Sequence, residues 1–196
     1  MAFKFNSNTP TSINFNSQQV NTLKYNGVTV WTRNIEVYLI QNGVSLYTPE
    51  TFVRKASSDE MSNNYVFDVY NNGTSVSLRN YVSNKDFFGC IKFPNKVSCN
   101  SQTFYADIIL NAGTDGSGGL AFNLGIFNDS NELISNIWMT HVGNNYNDES
   151  VTNNYSGVCS CTLPSSGNYY IGVALYCTGV SGSVDFDVTI RNLYFK

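Results

Sequence analysis

The chain has 196 residues, 42% of them hydrophobic, which is enough to bury a core of domain size. Only 13% are charged, the net charge is -3 and the pI about 5.0. With no Lys/Arg cluster to displace counterions from a phosphate backbone, nucleic acid is excluded as a partner. No apolar run approaches the ~20 residues of a membrane-spanning helix, so no membrane partner is expected. Uncharged polar residues replace the missing charges: there are 28 Asn, beside 13 Tyr, 13 Phe and 2 Trp. Aromatic and β-branched side chains suit a pleated, half-buried surface, and Asn and Gly supply turns, so the composition predicts an all-β protein.

The opening residues MAFKFNSNTP contain no apolar h-region, and no secretory signal is expected. In QVNTLKYNGVTVW, residues 19–31, two alternating runs flank Asn26-Gly27, a pair suited to a type I′ turn. A lone hairpin is marginally stable in water and must pack on something. Residues 1–34 are therefore expected to form a hairpin attachment module, and 35–196 a β-sandwich.

Strands are predicted at 36–40, closed by Asn42-Gly43; at 64–70; at 75–79, pairing back onto 64–70; and at 87–93, stopped by Pro94. Residues 52–56 read as a short strand or one helical turn. Further strands are predicted at 103–110, 120–127, 133–139, 158–163, 169–176 and 184–195. No segment keeps a 3.6-residue period over three turns, and this short spacing predicts a two-sheet jelly roll. The loop 179–182 reads as a hairpin turn joining the last two strands, and the glycine-rich 112–119 as a turn between core strands.

Five cysteines stand at 90, 99, 159, 161 and 177. The odd count argues against an obligatory disulfide framework. Cys159 and Cys161 share a face if they lie in a strand, and are expected as buried small apolar residues.

Two resemblances add to this. The pattern V-N-x-L-x-Y-N-G-x-x-V-W, here Val20, Asn21, Leu23, Tyr25, Asn26, Gly27, Val30 and Trp31, resembles a segment of bacteriophage minor tail and virion-associated proteins. It covers roughly 20 residues and implies a virion structural protein (a tail, fibre or capsid-decoration component) with other virion proteins as partners. It also implies location on the virion and a role in host attachment. Residues 60–196 are similar to carbohydrate-binding jelly rolls. The features are 104–110 and 120–127 as a central pair, G-x-Y-Y-I-x-V-x-L at 167–175, and V-D-F-D-V-T-I-R-N-L-Y-F at 184–195. That likeness implies a fold more than a ligand; it leaves a free carbohydrate-binding module and a small glycan-active enzyme as alternatives. Fibre and decoration proteins often form homo-oligomers, and an exposed hairpin is a ready partner surface.

The residues themselves point away from catalysis. A triad would have to use His141, the single histidine. Glycosidase carboxylates could come from Asp107, Asp129, Glu132, Asp148 or Glu149, but sequence spacing cannot pair them. No cofactor is expected. Asp129, Asn131 and Glu132 offer oxygens for a structural calcium, though the same letters make an ordinary β-turn. Sugar binding is the favoured chemistry, because aromatic faces stack on pyranose rings while Asn and Asp bond hydroxyls. The candidates are Trp138, His141, Tyr146, Asp148 and Tyr155, the last placed in a polar loop around 144–155. Trp138 also fits a buried core position, since I-S-N-I-W-M alternates as a strand does.

Overall fold

A computed structural model describes residues 13–15, 18–20, 22–32, 36–54, 66–71, 73, 75–83, 87–112, 117–143, 154–181 and 183–196. The chain divides into two units, Met1–Glu36 with Lys196, and Val37–Phe195. In the first unit, β1 (Ile13–Phe15) pairs antiparallel with β2 (Gln18–Val20). β3 (Thr22–Tyr25) then pairs with β4 (Val28–Thr32) across Asn26 at φ 49° and Gly27 at φ 78°. Those two positive angles are what a type I′ turn requires, and Asn-Gly reaches them with little strain.

The second unit is an all-β sandwich. Its strands are β5 (Val37–Gln41), β6 (Val44–Ser45), β7 (Glu50–Arg54), β8 (Val66–Asn71), β9 (Val76–Ser83) and β10 (Phe87–Ser98). They continue as β11 (Thr103–Ala112), β12 (Ser117–Phe127), β13 (Leu133–Gly143), β14 (Asn154–Thr162), β15 (Asn168–Ser181) and β16 (Ser183–Phe195). One sheet has the order β13-β12-β15-β10-β7. The other begins β14-β11-β16 and then forks: β5 pairs Leu193–Phe195, while β9 pairs Ser183–Ile190 and carries β8. The last strand therefore lies beside the first of the sandwich.

Alternation builds the core. Leu120, Phe122, Leu124 and Ile126 on β12 face Phe104, Ile108, Leu110 and Ile190 of the other sheet in one buried cluster. Period-two burial of this kind fixes the register, because a one-residue slip would expose the whole set.

Of the two readings of the segment around 52, the strand holds: Glu50–Arg54 is β7. Three expectations change. β10 does not stop at Pro94 but runs to Ser98, with its register to β15 shifting between Lys92 and Lys96. The irregularity absorbs the proline, which has no N–H to give a regular ladder. β11 and β12, read as a central pair, belong to different sheets. Likewise β15 and β16 are not hairpin partners: they belong to different sheets. Hydrophobic alternation marks where strands lie, but it carries no label for which sheet they join.

The shifted β10 backbone also presses on β15. A Cβ added at Gly172 would run into the Ile91 carbonyl oxygen and lie 3.0 Å from Lys92 Cα. Backbone cannot move aside as a flexible side chain does. Gly172→Ala is expected to destabilise the sandwich by about 3 kcal/mol or more, at the upper end for overpacking. Equilibrium urea unfolding checks this; a change below ~1 kcal/mol would contradict the close packing.

Candidate functional site

The outer face of the five-stranded sheet is unusual. Every residue of β12 from Ala121 to Phe127 is buried, and so is every residue of β15 from Ile171 to Leu175. One set faces the core. The other, Ala121, Asn123, Gly125 and Phe127, faces outward, level with Gly172 and Ala174 of β15 and with Cys90 and Lys92 of β10. These outward residues are mostly small, so larger neighbours fold across them. Cys90, Phe127 and Ala174 form a second buried cluster, with Leu133, Tyr170 and Tyr176 packed against it. The Phe127 ring covers Gly125, 2.8 Å from where a Cβ would stand.

The result is a shallow trough across the strands, about 20 Å from one sheet edge to the other, whose floor at Ala121, Phe127, Ala174 and Cys90 is closed to solvent. Cross-strand rows define it. One row runs His141, Ala121, Tyr176; the next Trp138, Asn123, Ala174, Cys90; the next Asn136, Gly125, Gly172, Lys92, Glu50. A bulge in β13 puts Trp138 opposite Asn123 and Thr140 opposite Phe122, which brings Trp138 and His141 to the same face. Their rings lie 5.1 Å apart, tilted by 49°. Trp138 is 47% exposed, so it is a surface residue and not the core residue its alternating sequence also allowed.

Asn123 stands directly beside it. It is one of the few buried polar residues described, at 3% exposed, and it lies on the outward row of β12. An amide offers two donors and an acceptor at one point. Sequence reasoning missed Asn123. The available signal was one Asn inside L-A-F-N-L-G-I-F, a run that otherwise reads as wholly buried.

At the far end, Lys92 is 4% exposed at its side chain and well satisfied. Its ammonium donates to Asn131 Oδ1, lies 3.0 Å from Glu50 Oε2, and sits 4.3 Å from the centre of the Tyr170 ring. Lys96 pairs with Asp129 at 2.6 Å, and that hydrogen bond, ahead of all other influences, raises its pKa. The turn 128–132 is organised by Asn128: its Oδ1 accepts from the Ser130 and Glu132 amides at 3.0 Å, and its Nδ2 donates to Glu132 Oε2 at 2.7 Å. The calcium candidates Asp129, Asn131 and Glu132 thus have their oxygens engaged by two lysines and an amide. Among the described residues, no three His, Cys, Asp or Glu side chains gather as a metal site.

The other candidates fall elsewhere. Tyr146 and Asp148 lie outside the described residues. Tyr155 is not in a loop: it stands in β14 opposite Leu110 and packs against the main core, and burial raises its phenol pKa. Alternation explains this, since Tyr155, Cys159 and Cys161 share the inward face of that strand. Asp107 is bound to Arg191 on the seven-stranded sheet, so it does not meet Asp129 or Glu132 across one groove.

A second aromatic group lies on the outer face of the seven-stranded sheet. Tyr38, Tyr194 and Tyr105 stack across β5, β16 and β11, with centroids 4.9 and 5.0 Å apart. These rings use their faces on each other. Trp138 is the aromatic ring that the trough presents to solvent. Two clefts of about 460 and 330 Å³ share Tyr47, and neither is lined by a carboxylate, histidine or cysteine.

The fold and this face define a two-sheet β-sandwich with a shallow trough on its five-stranded sheet. Solved structures similar to it include the xylan-binding module CBM15, at 9% identity and a TM-score of 0.48, covering 83% of this chain and 95% of that one. A variant of a family 29 carbohydrate-binding module aligns at 8% identity and a TM-score of 0.41, covering 83% and 91%. A family 30 carbohydrate-binding module aligns at 8% and 0.39, covering 83% and 99%. No protein-family model matches the sequence, and no curated protein is similar to it.

The thiols of Cys159 and Cys161 are both pushed up to about 12, first of all by burial, and neither forms a disulfide. A raised thiol pKa means that the folded state holds its protons more tightly than the unfolded chain does. The associated stability is complete below pH ~9 and is lost as pH rises from there towards 12. Both thiols are expected to resist alkylation in the native protein at pH 8 and to react on unfolding, as read by mass spectrometry. Rapid native labelling of Cys159 would contradict its burial.

Proposed function

We propose that the sandwich unit is a non-catalytic carbohydrate-binding module whose ligand lies in the trough of the five-stranded sheet. The observation that carries this reading is a half-exposed indole, Trp138, directly across one strand pair from the amide residue Asn123. An apolar ring face and a placed amide are the two things a pyranose needs: one stacks on its C–H face and the other bonds its hydroxyls. His141 and Asn136 extend the polar margin on the same edge strand. The residues this edge strand presents, Trp138 and Asn136, carry no charge, and Lys92 at the far end is buried and already neutralised by Glu50. The ligand class is therefore a neutral glycan.

Placement on a virion, with the amino-terminal hairpin as docking element, is supported by the V-N-x-L-x-Y-N-G-x-x-V-W segment and by the tight hairpin at 22–32. A free-standing module accounts for the trough equally well and needs no particle. Copurification of capsid or tail proteins with the chain would favour the first, and their absence the second.

A glycan array followed by calorimetry tests the site. Trp138→Ala is expected to weaken binding by about tenfold or more, with the fold retained because the ring is at the surface. Asn123→Leu should lose about 1–3 kcal/mol of binding, since it removes the amide that would bond the sugar hydroxyls. Tyr194→Ala should do the reverse, costing stability through the tyrosine stack and leaving affinity alone. Full binding by Trp138→Ala would refute the trough as the site.

A further inference from the structure

The sheet edges of the sandwich differ in how they are protected. An exposed edge strand is a template for pairing with another chain, and proteins blunt it with charges, prolines, bulges or short length. β13 is irregular at two points of its pairing with β12. β7 follows Pro49 and carries Glu50 and Arg54. β6 is two residues long, and β8 carries Asp68. β14 has none of these devices. Among the described residues it is bonded to a neighbour, β11, along one edge alone. Its register with β11 is unbroken over nine residues, from Thr103↔Thr162 to Asn111↔Asn154. Its sequence, NYSGVCSCT, contains no charge and no proline.

The strand is also its own complement. Its outward residues include Ser156, Val158 and Ser160, all exposed, with Val158 60% exposed and at the middle of the strand. A two-fold axis through Val158 sets Val158 against its own copy and Ser156 against Ser160. Every facing pair is then uncharged, and the outward pairs at the centre are small, so two copies approach without charge repulsion. Across that axis the two seven-stranded sheets would join antiparallel into one continuous sheet. We propose that β14 is the dimerisation edge of this protein, and that its partner is β14 of a second copy.

Such an interface is isologous, which makes it sensitive to charge at its centre. Sedimentation velocity on the full chain, across a concentration series, should show a species of about twice 21.8 kDa. Val158→Lys places two ammonium groups opposite each other and should weaken association by about tenfold or more. Val158→Glu should do the same. Mixing the two variants should restore a dimer, because the pair is then of opposite sign. Both changes lie on an exposed side chain, and circular dichroism of each variant should match the unaltered chain. Three outcomes would overturn the proposal: a mass of 21.8 kDa at every concentration, a dimer that persists in Val158→Lys, or no association in the mixture. A strand from a different protein on this edge would give the first of these.

Discussion

The sandwich depends on burial of β12 and β15 on both of their faces. One face supplies the main core through Leu120, Phe122, Ile171 and Val173. The other is closed by Phe127, Tyr170 and Tyr176 leaning over Ala174 and Cys90. Two-sided burial demands small residues somewhere, and the chain places them on the outward positions of the two central strands. Gly172 is the tightest of these, held against β10 backbone. That local closeness arises where Pro94 interrupts the β10–β15 ladder, so a residue that seemed to end a strand shapes the sheet instead. The floor of the trough is a by-product of the same requirement.

A floor of small side chains makes the polar exception conspicuous. In a strand whose neighbours are Phe122 and Leu124, Asn123 is the one polar side chain between Ala121 and Phe127. Its neighbours on the outward row are Trp138 and Ala174. Lys92 is equally buried on the same face, and Asn131, Glu50 and the Tyr170 ring meet its charge, which makes it part of the scaffold.

Much of the fold was legible in the sequence, for reasons that are local. Asn26-Gly27 and Asn42-Gly43 both form the tight turns their types favour, with positive φ at all four residues. Cys159 and Cys161 lie on one face because a strand repeats every two residues. What sequence could not give was non-local. Which sheet β11, β12, β15 and β16 join is decided by pairing over distances that alternation does not encode. The direction of Trp138 was equally hidden: the bulge between Phe122 and Asn123 turns it outward, and a bulge leaves no clear mark in a single sequence. Tyr155 was misplaced because polar neighbours made its segment look like a loop. In an edge strand, polar letters on alternate positions are the solvent face, and the tyrosine between them points inward.

The oxygen-rich turn 128–132 shows how a correct chemical signal can find a different occupant. Its letters offer oxygens for a cation, because several oxygens close in sequence concentrate negative potential, and equally suit an ordinary β-turn. In the structure those oxygens do meet cations, but the cations are the ammonium groups of Lys92 and Lys96. Both lysines come from β10, on either side of Pro94, and both lie over Tyr170, at 4.3 and 5.5 Å from its centre. The turn between β12 and β13 is thereby tied to β10 and β15 across the sheet. A chain with only 11 basic residues uses two of them here. The reason is mechanical: β13 is an edge strand with an irregular ladder, and it carries Trp138. Fixing the turn that precedes it limits how far that strand can shift, and so holds the indole in line with Asn123.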